Sequence, residues 1–261
     1  MGIVNLTPDS FYAGSRVPEA DAALSRMAAM VADGADVLDL GACSTRPGSY
    51  QPTLEEEWAR FEPTLSQLRA KLPSARISID TYRAEIVRRV YDTIGPFIVN
   101  DISAGQLDPE MLETVGRLGL PYIAMHMRGT PETMQSLTDY PGDDITAAVI
   151  AYFEDFARKA DDHGIREWIL DPGFGFSKTL DQNYALLSRL DEVVKAFPVE
   201  TLVGVSRKSM IYKKLGITPD EALPATQVIQ FAALEKGATW LRAHDVTAAV
   251  HTAKIYCSLQ A

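Results

Sequence analysis

The sequence predicts a (β/α)₈ barrel of parallel strands. Three observations lead there. Eight short apolar, β-branched runs follow one another along 261 residues. Helical stretches lie between them. And each run finishes in a polar or ionisable residue. Repeated βα units imply a parallel sheet, and eight of them fit a closed barrel, which commonly needs about 250 residues. An open, doubly wound sheet with one strand miscounted is the alternative that the count disfavours.

The strands are expected at Gly2–Leu6, Asp36–Leu40, Arg76–Asp80, Phe97–Asp101, Tyr122–His126, Trp168–Asp171, Thr201–Val205 and Thr239–His244. Most lack strict alternation, as strands buried on both faces should. Pro18–Asp33 has apolar or small residues at Ala22, Ala23, Met27, Met30 and Val31 and reads as a helix. Leu54–Lys71 follows Thr53, with Glu56 three residues on, the spacing of a capping box. Asp143–His163, Asp181–Lys195, Pro219–Lys236 and Val246–Leu259 complete the helices that the pattern delimits. No linker, charge run or low-complexity segment divides the chain, so one domain over residues 1–261 is expected.

Composition narrows the function. The chain is 46% hydrophobic and 23% charged, which is ordinary for a globular protein. Its net charge of −10 (25 basic against 35 acidic residues) argues against a nucleic-acid or anionic-membrane binder. A local cluster of Arg and Lys remains able to hold a small anion. Cys43 and Cys257 form neither a CxxC pair nor a Cys/His metal spacing. The N-terminal MGIVNLTPDSF has no basic region or long apolar run, and no stretch is long enough to span a bilayer. A reducing, cytoplasmic setting is the expectation.

In a barrel the loops after the strands form the active face. Those positions hold Asn5; Asp39 followed by Cys43-Ser44-Thr45-Arg46-Pro47; Asp80; Asn100 and Asp101; His126 and Arg128; Asp171 followed by Gly173-Phe174-Gly175-Phe176; Ser206-Arg207-Lys208-Ser209; and Arg242, His244 and Asp245. An Asp or Ser after a strand is often only a helix cap. Lys and Arg are poor N-caps, so Arg207, Lys208 and Arg242 need another account. Asp80, Asn100 and Asp171 suit the amino-imino edge of a flat heterocycle, because a carboxylate accepts two N–H bonds and an amide both donates and accepts. Arg46, Arg207, Lys208, Arg242 and His244 suit phosphate oxygens. The expected site therefore holds a polar heterocycle at its centre and a phosphate at its rim.

Weaker signals are discounted. Gly173 to Thr179 looks like a phosphate loop, but Ser177 stands where that pattern needs Gly. Met125, Met127 and Met134 are read as core filler rather than pocket lining. His163 and His251 are read as surface or packing residues. Cys43 has no evident base and is not expected to be a nucleophile.

At these residues the sequence resembles the dihydropteroate synthase family. The matching stretches are Met1 to Phe11, Ser44 to Gly48, Ile79 to Thr81, Asn100 to Ile102, Met125 to Gly129, Leu170 to Phe176, Ser206 to Ser209 and Leu241 to Val246, in family order. The resemblance implies a transferase that joins 4-aminobenzoate to 6-hydroxymethyl-7,8-dihydropterin pyrophosphate and releases pyrophosphate. It implies that Asp80, Asn100, Asp171 and Lys208 bind pterin, and that Arg242 covers the pterin face and, with His244, meets pyrophosphate. It implies that Asn5 lies with Arg242 and His244 at the pyrophosphate rim and is associated with Mg²⁺. It places Phe11, Thr45, Arg46 and Pro47 on closing loops, Arg46 toward pyrophosphate, with Phe176 and Ser209 at aminobenzoate. It also implies a homodimer through helices late in the chain. Cys43 stands where many members have Glu, Ser177 replaces the usual Gly, and the N-terminal extension common in the family does not precede the first strand. A pterin-dependent methyltransferase domain and a non-catalytic pterin-binding relative are the competing readings; the Ser44-Thr45-Arg46-Pro47-Gly48 and Ser206 to Ser209 matches argue against the first, and the intact Asn5, Phe11, Arg46 and Pro47 against the second.

Overall fold

Side-chain parity along each strand decides what faces the barrel axis and what faces the helices. The computed structural model describes residues 1–6, 16–43 and 50–260. Its strands are β1 (Gly2–Asn5), β2 (Val37–Gly41), β3 (Arg76–Asp80), β4 (Ile98–Asp101), β5 (Tyr122–Met125), β6 (Trp168–Asp171), β7 (Leu202–Val203) and β8 (Trp240–Leu241). The helices are α1 (Arg16–Ala32), α2 (Leu54–Lys71), α3 (Ala84–Ile94), α4 (Met111–Leu118), α5 (Ile145–Asp162), α6 (Leu180–Ser188), α7 (Leu190–Ala196), α8 (Ser209–Leu215), α9 (Leu223–Glu235) and α10 (Val246–Gln260).

Strands β1 to β6 pair in sequence order, all parallel, and β7 pairs with β8. Two bridges join these sheets into a ring. Leu170 bridges Thr201, and Gly2 bridges Ala243. Backbone bonds from Ile3 N to Ala243 O and from Ala243 N to Met1 O, each 3.0 Å, close β8 onto β1. Among the described residues, ring closure leaves no strand of the barrel with an open edge.

Successive strand residues point to opposite faces. Leu38, Leu40, Ile77, Ile79 and Val99 face outward and pack in the large core with Met27, Phe61 and Leu65 from the helices. Val37, Ile98, Ile123, Ile169 and Leu202 face inward and form a separate apolar plug with Met1 and Trp240. Each such fully buried side chain contributes about 1.5–3 kcal/mol relative to exposure. Two residues further along the same inward face lie Asp39, Asn100, Asp171 and Arg242, on β2, on β4, at the end of β6 and just past β8. The even strands thus carry a polar layer directly above an apolar one.

The expected elements are present, with shifted ends. The seventh and eighth strands shrink to two residues each, because only that length keeps regular pairing; Arg242 N to Val203 O, 3.0 Å, continues the contact outside the ladder. The helix expected over Asp181–Lys195 breaks at Arg189, whose φ of −114° is not helical and whose guanidinium is held by Asp144 and Glu192. The helix expected from Pro219 starts as a 3₁₀ turn at Asp220–Ala222 and becomes α-helical at Leu223. The capping box of Thr53 and Glu56 forms as expected, and an equivalent one forms at Thr179 and Gln182. Among the described residues no helix is long and apolar enough to cross a membrane.

Candidate active site

The inward polar layer assembles around Arg242. Its Nε donates to Asp39 Oδ2 at 2.6 Å and its Nη2 to Asp80 Oδ2 at 2.8 Å. Asn100 Nδ2 donates to the same Asp39 oxygen at 3.1 Å. The two carboxylates hold the guanidinium proton well above its ordinary range. Burial pushes the Asp80 carboxyl up to about 7, against the pull of Arg242.

Asp171 ends β6 and is buried. Its Oδ1 accepts from Gly173 N at 2.8 Å. Its Oδ2 receives no hydrogen bond from the described residues. Burial raises its carboxyl proton affinity, and Lys208 opposes that rise. Lys208 precedes α8 in extended conformation, and its Nζ donates to Phe174 O at 2.7 Å. The same ammonium lies 4.7 Å from the centre of the Phe176 ring, a cation–π distance. Burial lowers it to about 8, with Asp171 acting the other way. Gly204 supplies no side chain between these groups; a Cβ there would sit 3.7 Å from Lys208 Nζ and 3.8 Å from Arg242 Cβ.

At the rim, Asn5 ends β1 half-buried, and its side chain makes no hydrogen bond to a described residue. His244 is half-buried, with Nδ1 3.2 Å from Ser206 Oγ. Ser209 opens α8, and Phe176 packs beside Met125, Met127, Met134 and Ile102. Phe11, Thr45, Arg46 and Pro47 lie outside the described residues.

Some expected groups do other work. Arg207 was a candidate phosphate ligand, but it forms a two-point ion pair with Asp245 at 2.8 and 2.9 Å and donates to Pro219 O and Asp220 O. It ties loops together. Asp101 turns away from the axis and accepts from Ser103 N, Ser103 Oγ, Gly105 N and Tyr122 OH. Arg128 donates to Asp139 O and lies over the Tyr140 ring. Burial and nearby Glu57 push the Cys43 thiol far up, which fits an unreactive residue. Met125, Met127 and Met134 do pack together as filler, although their cluster borders Phe176.

The sequence reading named Asp39 only as a strand end. Its signal was a carboxylate inside the apolar run Val37-Leu38-Asp39-Leu40, where only an inward partner can stabilise it. Lys178 was passed over with the discarded phosphate-loop pattern, yet it is 4% exposed and points inward.

The chain matches the family model for pterin binding enzymes over residues 1–244. It is 40% identical over 259 residues to the dihydropteroate synthase of Synechocystis sp., covering 98% of this chain and 88% of that one. It belongs to the dihydropteroate synthase family. It is also 40% identical over 252 residues to a folic acid synthesis protein of Pneumocystis carinii, covering 94% of this chain but 34% of that longer one. The Xanthomonas albilineans dihydropteroate synthase solved with 4-aminobenzoic acid superposes with a TM-score of 0.90 at 34% identity, covering 100% of this chain and 92% of that one.

These titrations give a pH prediction. Asp80 loses its negative charge as pH falls below about 7, and Lys208 loses its positive charge as pH rises above about 8. A plot of kcat/KM against pH should therefore be bell-shaped, with its maximum between those values. Lys208→Arg should remove the alkaline limb in whatever activity remains. A profile flat from about pH 6 to 9 would contradict both assignments.

Proposed function

We propose that this chain is a dihydropteroate synthase, condensing 6-hydroxymethyl-7,8-dihydropterin pyrophosphate with 4-aminobenzoate and releasing pyrophosphate. The observation that carries the reading is the gathering of buried Asn100 and Asp171 with half-buried Asp80, Lys208 and Arg242 at the inward strand ends and the loop before α8. It matches a flat ring with adjacent donors and acceptors.

In this reading the free oxygen of Asp171 accepts N–H bonds from the amino-imino edge of the pterin. Asn100 and Lys208 engage the ring's remaining polar atoms, and Arg242 lies over its face. Asp80 and Asp171 stabilise the positive charge that develops on the dihydropterin methylene as its bond to pyrophosphate oxygen breaks. Arg46, Arg242 and His244 take up the negative charge on the departing group. The neutral aniline nitrogen then attacks the methylene, so no strong general base is required. Phe11, Thr45, Pro47, Phe176 and Ser209 hold 4-aminobenzoate and exclude water, the competing nucleophile.

Magnesium belongs to this reading. Mg²⁺ takes oxygen ligands and is often bound by one or two protein groups together with substrate phosphates. The Asn5 amide oxygen fits that demand, being half-buried at the rim and uncommitted among the described residues. Bound there, the ion would neutralise charge on pyrophosphate. A cytoplasmic setting goes with the two free cysteines.

A homodimer completes the reading, formed through α9 and α10. Val228 on α9 and Ile255 and Leu259 on α10 are large apolar residues more than 60% exposed. Beside them Phe231 and Tyr256 pack edge to face at 6.1 Å. Sedimentation should give twice the chain mass, and Val228→Glu with Ile255→Glu should give a monomer. A monomeric parent protein would exclude this assembly.

The function is tested by pyrophosphate release from the pterin pyrophosphate. Release should require both 4-aminobenzoate and Mg²⁺. Lys208→Ala and Asp171→Asn should each lower turnover by about 10² or more, the scale of a lost preorganised electrostatic contact. Pterin binding without turnover would make the chain a non-catalytic binder. Near-normal rates in both variants would overturn the site.

A further inference from the structure

The Gly173–Ser177 loop lies between two lysines. Lys208 touches it from the pocket, and Lys178 grips it from the interior. Lys178 Nζ donates to Gly173 O at 2.8 Å and to Phe176 O at 3.0 Å, and lies 2.9 Å from His126 Nδ1. An ammonium has three N–H donors, and with the His126 proton on Nε2 the three neighbours match them. His126 is itself 1% exposed, at the end of β5, and its backbone N donates to Asp171 O at 2.9 Å. The lysine therefore joins the β5 end to the loop that follows β6.

The loop needs such a grip. Gly173 has a φ of +69°, and a Cβ there would lie 2.1 Å from His126 O. Ser177 has a φ of +50°, a conformation disfavoured for a residue with a side chain. Its Oγ accepts from Arg128 N at 2.8 Å and donates to Arg128 O at 3.0 Å. A strained conformation persists when its surroundings over-determine it. Lys178 and Ser177 supply that constraint from two sides; Lys178 makes its hydrogen bonds to the loop and to His126, and its charge is felt by Asp171 and Lys208.

We propose that Lys178, held by His126, is a positioning residue that fixes the Gly173–Phe176 loop so that the Phe176 ring and the Phe174 carbonyl meet Lys208 and the aminobenzoate. This rests on the synthase reading and adds a function for a buried lysine outside the reacting groups. Phe176 lies directly on the gripped segment. Asp171 and Asn100 belong to strands β6 and β4, whose ladder bonds persist without the lysine. The aminobenzoate end should therefore suffer more than the pterin end.

Lys178→Met keeps the stem's length and removes all three hydrogen bonds. It is compared with His126→Leu, which removes one acceptor, and with His126→Asn, whose amide oxygen replaces it. Steady-state kinetics are combined with calorimetric binding of 6-hydroxymethylpterin. Lys178→Met should lower kcat at least tenfold and raise the KM for 4-aminobenzoate at least fivefold, with pterin affinity changed less than threefold. His126→Leu should move the same parameters in the same direction, and His126→Asn should recover most of the loss. If Lys178→Met does not fold, the two His126 variants carry the test. Unchanged kinetics in Lys178→Met or His126→Leu, or equal losses at both substrates, would overturn the assignment while leaving the synthase reading intact. A wild-type protein that binds pterin but releases no pyrophosphate would overturn both.

Discussion

The site depends on the placement of one guanidinium between two carboxylates. Arg242 bonds Asp39, which is wholly buried, and Asp80 beside it. Buried ions are costly unless paired with good geometry, and removing one partner typically costs about 3–5 kcal/mol. The second oxygen of Asp39, Oδ1, has no hydrogen-bond partner among the described residues. Its charge is therefore held chiefly by Arg242 and Asn100, through the one oxygen they share. Asp39 turns Arg242 toward the pocket and steadies the Asn100 amide.

The barrel makes this arrangement possible at low conformational cost. Strand residues two apart point the same way, so an apolar plug and a polar layer stack on the same strands. Ile98 packs in the plug and Asn100 faces the site; Ile169 and Asp171 repeat the relation, and so do Trp240 and Arg242. The rigid ladder fixes the groups of this polar layer. Lys208, His244 and Phe176 come from loops and helix starts, where adjustment during binding is easier. Lys178 gives one of those loops the stiffness that its glycines withhold.

Much of this was legible in the chain itself. Alternating βα units predicted the barrel, and its strand ends carried Asp80, Asn100, Asp171 and Arg242 into one place. The heterocycle-and-phosphate division came from residue chemistry; the substrate's identity came from resemblance. Arg207 misled because a cation beside Lys208 gives no local sign of its pairing with Asp245, 38 residues away. Asp101 adjoins Asn100 but is no part of the heterocycle set, and a single step along a strand reverses its direction, toward Ser103 and Tyr122. Lys178 follows the Phe174-Gly175-Phe176-Ser177 stretch without a local sign that its side chain turns inward onto Gly173 O and Phe176 O. The break at Arg189 depends on ion pairs to Asp144 and Glu192, one of them remote in sequence.

Asp39 is expected to serve the proposed pterin pocket through Arg242. A double-mutant cycle tests it directly, with calorimetric binding of 6-hydroxymethylpterin to wild type, Asp39→Asn, Arg242→Met and the double variant. Asp39→Asn should weaken binding about tenfold, or about 1.4 kcal/mol, when Arg242 is present. It should have little further effect once Arg242 is gone, a coupling of about 1 kcal/mol or more. Equal losses from Asp39→Asn in both backgrounds would show that the two residues act independently and would contradict the account.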